Sequence, residues 1–588
     1  MRGNLPNIWG KGGALFAFSG FDGPTDWAHP FVGSTSSEGR GIDFHTNTPA
    51  SLMFHFPPIC SIEDEVVACD VISSLITLRN GRLRLRYLFL DEKTVAGEIF
   101  AVESQSPQDV SIVIMMQGAL EVEDATSIIF KAGPEELILM GKGANLHVSE
   151  GKLCASLGEG QGIRFVLTYS FNMPTGSRLA DAERALTVDL GKIYNDRLAF
   201  FEKLPLPEFE DQLFLKTYYK CASVQKVNCN RAEGRIKFDW TTPDRWPHKH
   251  MWIWDSAFHA LGLRHFAPKW AMNSIKAVLS KQRPDGFIPH MMTPNDEQDS
   301  LLVQPPLLSW ATWKVYETTR DEKFLQYCYP RLKAMLLYDC RELDKDESGL
   351  CEWPSSNASG MDNSPRFDQP VGDAVDLNAY LVNDLAYLEK IARRLGLSNE
   401  AGIWADLKYS RIALINERLW NASEGFYYDL TPDGVQIDLK TIAGFTPLFA
   451  GVCSESQAED LVRHLRNPDE FWLKFPIPSV SLDEPSFSDD MWRGPVWINF
   501  NYMVIEGLIR YGYLTLADEI KKITLSEIAR WYAEDGVIYE FYDSRASKSP
   551  SKLSRKGKQG IQIGSWQVAQ CIKDYHWTAA LFIDMALG

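Results

Sequence analysis

Residues 238–259 read FDWTTPDRWPHKHMWIWDSAFH. Trp240, Trp246, Trp252 and Trp254 crowd a stretch broken by Pro243 and Pro247, which do not fit a helix interior. From Asp255 onward apolar residues recur at helical spacing, so an aromatic loop delivers the chain into a helix. The pattern continues downstream. Helices are predicted at 210–226, 255–264, 268–282, 300–319, 322–343, 374–395, 398–420, 439–450, 455–466, 495–512, 514–532 and 564–586, joined by loops rich in Gly, Pro and Trp. Twelve helices in six hairpins would close as an (α/α)6 barrel over 206–588. There is no exact internal repeat, so closure rests on count and order.

Upstream the period changes. Leu52–Phe56, Val66–Ile72, Leu83–Leu90, Val110–Met116 and Ile163–Phe171 are short and rich in β-branched and aromatic residues, with turn clusters such as Arg79–Arg82 and Ser104–Asp109 between them. This predicts an all-β sandwich domain over 1–185. The charged stretch Arg178–Glu202 has helical spacing of Leu and Ala and predicts a linker helix, placed at 186–205. The predicted fold is thus a mainly α domain behind an N-terminal β-sandwich.

Composition narrows the function. The 588 residues carry 60 basic and 77 acidic side chains, a formal charge of −17. Such an excess repels phosphate backbones and anionic membranes, which excludes nucleic acid as a partner. No apolar run approaches the roughly 18 residues that span a bilayer, so no membrane partner is expected either. The ten cysteines form no CxxC and no zinc-ligand spacing with histidine. They read as buried, reduced thiols of a cytoplasmic protein, and the Asn357 and Asn421 sequons as unglycosylated. Neither a metal nor a cofactor is called for. The 18 tryptophans can fill a core or stack on sugar rings, and composition does not choose.

Four segments hold the residues that do. In the opening stretch Asp255 is either an acid favoured by the helix dipole or a hydroxyl-binding carboxylate among aromatic walls. Asn357–Asp368, NASGMDNSPRFD, puts Asp362 in a polar loop with Arg366 four residues on; the plain alternative is an Asp in a turn. Asp489–Tyr502, DDMWRGPVWINFNY, sets Trp492, Arg493 and Trp497 at a helix start. Tyr539–Asp543, YEFYD, places Glu540 between aromatics. His290, in GFIPHM, is the candidate ligand-contacting histidine, and Gln304 and Trp577 complete the candidate set with Trp246, Trp252 and Trp254. Two separated carboxylates amid tryptophans suit glycosidic hydrolysis, which needs one acid to protonate the leaving oxygen and one carboxylate to activate water. No GxSxG, phosphate-cradling Gly loop or HExxH competes.

Taken together, WIWDSAFH, GFIPHM, SGMDNSPRFD, MWRGPVWINFNY, YEFYDS and YHWTAALF resemble the catalytic domain of glycoside hydrolase family 63, over roughly 206–588. The resemblance implies an (α/α)6 barrel working with inversion, Asp362 as general acid, Glu540 as general base, and Asp255 binding hydroxyls in subsite −1 beside Trp252 and Trp254. Trp492 and Arg493 match the family's WRG element, with Trp497 and His290 lining the same pocket. One departure stands out: the segment around Glu540 lacks the His-Glu-Asn-Tyr form common in relatives.

The expected substrate is a small α-glucoside, α-mannoside or short oligosaccharide. A glycosylglycerate is the alternative, its carboxylate met by Lys249 or Arg245. From other classes stand a glycoside phosphorylase, which Glu540 disfavours, and an inactive sugar-binding protein. Finally, Arg545, Lys548, Lys552, Arg555, Lys556 and Lys558 are spaced by Ser, Pro and Gly. That composition predicts a solvated mobile connection, with a positive lid at the pocket mouth as its functional alternative.

Overall fold

The computed structural model describes residues 14–35, 41–46, 48–55, 66–68, 76–79, 83–102, 107–122, 124–208, 211–296, 298–558 and 570–588. The turn at 80–82, the end of the strand expected to reach Ile72, Cys60 and Cys69 lie outside them.

Two antiparallel sheets occupy the first part. In spatial order the first runs Leu15–Phe16, Val32–Thr35, Gly41–His45, Ala50–His55, Gln108–Met116, Lys152–Leu157 and His147–Ser149. The second runs Ala119–Val122, Ser127–Ala132, Glu135–Gly143, Gly162–Phe171, Thr94–Ala101, Leu83–Asp91, Ile76–Arg79 and Val66–Ala68. Alternation sets which face is buried. Val110, Ile112 and Ile114 point inward with Leu52 and Phe54 of the paired strand, and Leu153, Ala155 and Leu157 on the other side. The sheets meet through aromatics: Phe54 reaches Phe165 at 5.5 Å and Phe31 reaches Tyr169 at 5.2 Å between ring centroids. The second sheet is covered on its other face too. Leu88, Ala96, Met140 and Val166 pack beneath Ala182, Ala185, Leu186 and Leu190.

Ala182, Ala185 and Leu190 belong to two helices, Thr175–Ala185 and Leu190–Glu202, with Leu186 capping the first, and not to the single linker helix expected. Asp189 breaks the run: its side chain accepts the Lys192 N–H at 3.0 Å and starts the second helix.

The rest is helical. Ile253–Phe266 packs on Leu308–Thr319, which packs on Val375–Arg394, then Thr446–Ala450, then Ile498–Arg510, then His576–Leu587, which returns to Ile253–Phe266. These six are buried along most of their length: residues 253–263 and 576–585 are buried without a break. Pro268–Ser280, Glu322–Glu342, Ser398–Arg418, Leu514–Asp535 and Gln212–Val227 pack outside them. Ser398–Arg418, for example, buries only Ala401, Trp404, Arg411 and Ile415. Three predicted helices are markedly shorter than expected. The one placed at 300–319 begins at Leu308, because Pro305 and Pro306 hold the preceding chain extended. The one at 439–450 reduces to a 3₁₀ turn, Ile442–Phe445, and Thr446–Ala450. Gly444 there lies so close to Phe426 that a Cβ would fall 2.3 Å from its ring. The final helix, expected at 564–586, starts at His576; 564–569 lie outside the described residues, and 570–575 are not helical. Among the described residues no helix is long and apolar enough to cross a membrane.

Where the last inner helix meets the first, His259 and His576 stack at 3.7 Å with their rings 10° apart, both fully buried. His259 Nδ1 lies 2.9 Å from Thr241 Oγ1, and His576 Nδ1 lies 2.9 Å from the Thr242 carbonyl. Burial holds His576 down to about 3 and His259 well below its ordinary value. An unfolded histidine titrates near about 6.5, so below that pH the unfolded chain takes up protons that the fold refuses. Stability contributed by this pair is therefore full above about pH 6.5 and is lost as pH falls. Relative to His576→Asn, the natural protein should lose up to about 1.4 kcal/mol per pH unit between pH 6 and 4. Urea melts of both proteins across that range check it; parallel curves would contradict the buried neutral imidazole.

Candidate active site

Three inner helices begin at one pocket. Trp252, Trp254 and Asp255 enter it from the start of Ile253–Phe266, Trp497 from just before Ile498–Arg510, and Tyr575 and Trp577 from the start of His576–Leu587. Short strand pairs fix these entries: Met251–Trp252 pairs with Met291–Met292, and Val496–Trp497 with Phe541–Tyr542, which brings Glu540 beside Trp497. The free volume is small, about 70 Å³. Asp362, Gln304 and Asn357 complete the polar lining.

The walls are indoles. Trp577 stands edge-on to Trp254 at 5.3 Å and lies 5.7 Å from Trp497. Trp497 lies flat on Trp492, 3.7 Å apart and 2° from parallel, and donates its indole N–H to the Met491 carbonyl at 2.9 Å. The buried indole N–H groups of Trp252 and Trp577 have no acceptor among the described residues. Gln304 Oε1 accepts the Trp254 N–H at 3.0 Å, which ties that side chain to the first turn of the helix.

Three carboxyl groups face this lining. Asp255 is 3% exposed. Burial first, and the charges of Glu540 and Asp244, push its carboxyl well above the ordinary range against its own N–H and the Tyr575 hydroxyl. Asp362 follows a four-residue helix, Ser356–Ser359, whose first turn is capped by Ser355 Oγ. Gly360 ends that helix at φ +74°, directly under Trp254, where a Cβ would sit 2.4 Å from Cζ2. Glu540 comes after Gly536, the left-handed cap of Leu514–Asp535. Its N–H donates to the Ile572 carbonyl at 3.0 Å, and its Oε2 accepts the Ile572 N–H at 3.3 Å and an N–H of Arg555.

The structure sorts the sequence candidates. Trp252, Trp254, Asp255, Gln304, Asp362, Trp497, Glu540 and Trp577 share the pocket. Five others stand elsewhere. Arg366 is buried in an ion pair with Asp376 at 2.7 Å and Asp429 at 3.4 Å, because a guanidinium this deep must meet acids inside the fold. Trp246 packs toward the β sheets, stacked on His45 at 6.1 Å. Trp492 stands behind Trp497. Arg493 donates Nε–H to the Asn363 carbonyl at 3.0 Å and pairs with Asp368, strapping the Asp362 loop in place. His290 stands edge-on to Trp252 at 5.0 Å, and burial holds it down to about 4 despite the pull of Asp362. The two basic residues considered for a carboxylate are also engaged: Arg245 pairs with Glu92 at 2.8 Å, and Lys249 lies over the Trp27 ring at 4.9 Å.

The basic segment is pinned along its backbone and sends Arg555 into the pocket, while Arg545, Lys552, Lys556 and Lys558 stay exposed. Asp543 accepts N–H groups of Arg545, Ser547 and Lys548 at 2.8–3.2 Å, and Ser554 exchanges backbone bonds with Asp489 and Met491 at 3.1 Å each. Arg555 thereby reaches Glu540, and Lys556 Nζ lies 2.8 Å from Asp362 Oδ2. Tyr575 and His248 are lining residues that the sequence reading did not single out, and it named Arg555 only within the basic segment and Asn357 only as a sequon. Tyr575 opens the quoted YHWTAALF and Asn357 opens NASGMDNSPRFD, so both were within sight.

Comparison with known proteins fits this geometry. Residues 248–578 match the family described as the mannosylglycerate hydrolase MGH1-like glycoside hydrolase domain. The mannosylglycerate hydrolase of Thermus thermophilus is 27% identical over 418 residues, spanning 58% of this chain and 96% of its own. Mannosylglycerate hydrolase MGH1 of Selaginella moellendorffii is 26% identical over 415 residues, 57% of this chain and 81% of its own. The crystal structure of a Thermus thermophilus GH63 mannosylglycerate hydrolase in complex with glucose matches at a TM-score of 0.51 and 26% identity, over 63% of this chain and 99% of that one. A bacterial glucoamylase complexed with acarbose, 11% identical, shares the fold alone, with a TM-score of 0.61 over 99% of this chain and 94% of that one. The family match spans more than half of the chain and contains both carboxylate loops, so this chain is a glycoside hydrolase and belongs to the MGH1-like group of glycoside hydrolase family 63.

Proposed function

We propose that this protein is an inverting α-glycosidase in which Asp362 is the general acid and Glu540 the general base. The observation that carries the reading is that both carboxyls line one indole-walled pocket with Asp255 and Gln304. Asp362 protonates the departing glycosidic oxygen while Glu540 takes a proton from the water that attacks the opposite face. Asp255 and Gln304 hold sugar hydroxyls, and Trp252, Trp254, Trp497 and Trp577 cover the apolar ring faces. The ring of inner helices with its outer partners is then the (α/α)6 barrel of a catalytic domain over 206–588, and 1–185 is its β-sandwich. A cytoplasmic setting suits the eight unpaired cysteines among the described residues.

A small α-glucoside or α-mannoside fits a pocket this narrow. Within that class a glycosylglycerate is favoured by two observations: the relatives' names and the Lys556 ammonium beside Asp362, where a leaving group departs. A phosphorylase has no need of a base carboxylate, so turnover should not depend on phosphate.

Asp362→Asn is nearly isosteric and should lower kcat by roughly two to four orders of magnitude on an unactivated substrate, and less on a glycosyl fluoride. The first-formed sugar should be the β-anomer by NMR; an α-anomer would indicate retention. A panel of α-linked disaccharides and glycosylglycerates assigns the substrate.

Gly360→Ala tests whether the loop positions the acid. A left-handed Ala costs about 1–2 kcal/mol before any clash with Trp254. Displacing Asp362 by about 1 Å should then lower kcat/KM about 100-fold. Unchanged kinetics in a folded variant would mean that Gly360 does not set the position of Asp362.

A further inference from the structure

After Glu540 the chain runs over the Asp489–Met491 segment and returns a second side chain, Arg555, to the same carboxylate. Its path is fixed at both ends. Asp543 gathers the first turn, as described, and the far end is a tight hairpin in which Arg555 and Lys558 exchange backbone bonds at 2.8 and 3.2 Å. The two central residues, Lys556 and Gly557, both have positive φ, 52° and 73°, and the Gly557 N–H donates to Asp490 Oδ2 at 2.8 Å. A lysine held left-handed is a mildly strained residue, which the neighbouring contacts maintain.

The hairpin buries a charge that must be balanced. The Arg555 side chain is 5% exposed and that of Glu540 2%. Glu540 acts electrostatically on Asp255, Cys571 and Tyr575 as well as on Arg555, and Asp362 in turn acts on Arg555. Among the described residues Arg555 is the cation in contact with Glu540. Its Nε–H is buried with no acceptor among those residues.

We propose that Arg555 is a positioning residue for the base: its guanidinium fixes the Glu540 rotamer and balances its charge, so that an ionised carboxylate faces the attacking water. This rests on the reading of Glu540 as base. It also gives the basic segment its role, which is to complete the site from within.

The test uses the full-length protein and the best substrate of the panel above. In Arg555→Ala, kcat should fall about 100-fold, the scale of a misplaced catalytic group, with KM changed less than about threefold. Added guanidinium ion should restore much of kcat in this variant and none in Glu540→Gln. Arg555→Lys should retain at least about ten times the kcat of Arg555→Gln, since it keeps the charge. Arg555→Ala with kcat within about threefold of the natural protein, or a loss that guanidinium does not repair, overturns the proposal. If Arg555→Ala does not fold by circular dichroism, the Lys and Gln variants decide, and equal kcat in those two overturns it. Near-normal turnover by Glu540→Gln would instead overturn the reading of the base.

Discussion

Charge inside the ring of inner helices is the constraint on which the rest of the structure depends. Those helices are buried nearly all round, so an ionised group on one of them must find its partner on another. Asp584 does so with Arg264 at 2.9 Å, His265 at 2.8 Å and the Tyr502 hydroxyl at 2.6 Å, which joins three inner helices at one point. Burial alone would raise its pKa; the His265 bond and the Arg264 charge outweigh it and leave the carboxyl below its ordinary value. Asp384 accepts the Ser309 and Trp310 N–H groups at 2.7 and 3.1 Å, at the start of a neighbouring inner helix. Asp376 and Asp429 share Arg366. Each junction is a buried acid that takes at least one donor from a different element.

The pocket differs because the unsatisfied polar groups of Trp252, Trp577 and Arg555 line an open volume between aromatic walls. Asp255 has burial acting on it without a cation in contact among the described residues, and so its carboxyl is pushed well above the ordinary range. Glu540 has Arg555, whose Nε–H is left over, and the Trp252 and Trp577 indoles keep free N–H groups. Open donors and acceptors beside apolar ring faces are what a sugar requires, since its hydroxyls need partners and its C–H faces need cover.

Much of this could be read from the sequence, for physical reasons. The long helices announced themselves through period, and the site through tryptophan and acid in loops that must be short and rigid. Asp255, Asp362, Glu540, Trp252, Trp254, Trp497 and Trp577 all line one pocket. Arginine was the failure. Arg366 sits four residues beyond Asp362 and Arg493 lies within the WRG element, yet both are taken up by acids within the fold. Arg555 lies among serines and lysines, a composition that reads as solvated, yet it enters the pocket. Linear sequence gives the reach of a guanidinium but not the acid it meets, and that acid is set by tertiary packing. Trp246 failed for the same reason, its neighbour His45 lying about two hundred positions away.

The β sheets bear on the site through the same segment that opens the helical part. None of their described residues lines the pocket, yet Arg245 meets Glu92, Trp246 meets His45, and Lys249 lies over Trp27 and donates to its carbonyl at 3.3 Å. Pro243 and His248, interleaved with those three, face the pocket, and His248 is held by Asp244 at 2.7 Å. Residues 243–249 are therefore clamped between the sheets and the ring, their side chains divided between the two. The cost of burying Glu92, pushed up to about 7 by its surroundings with Arg245 opposing, is borne at this seam. The Thermus relative matches 58% of this chain, so a shorter chain supports the same family's helical core. In this protein the sheets instead fix the backbone of the aromatic loop from outside, and the pocket wall inherits its position from a contact that never touches the sugar.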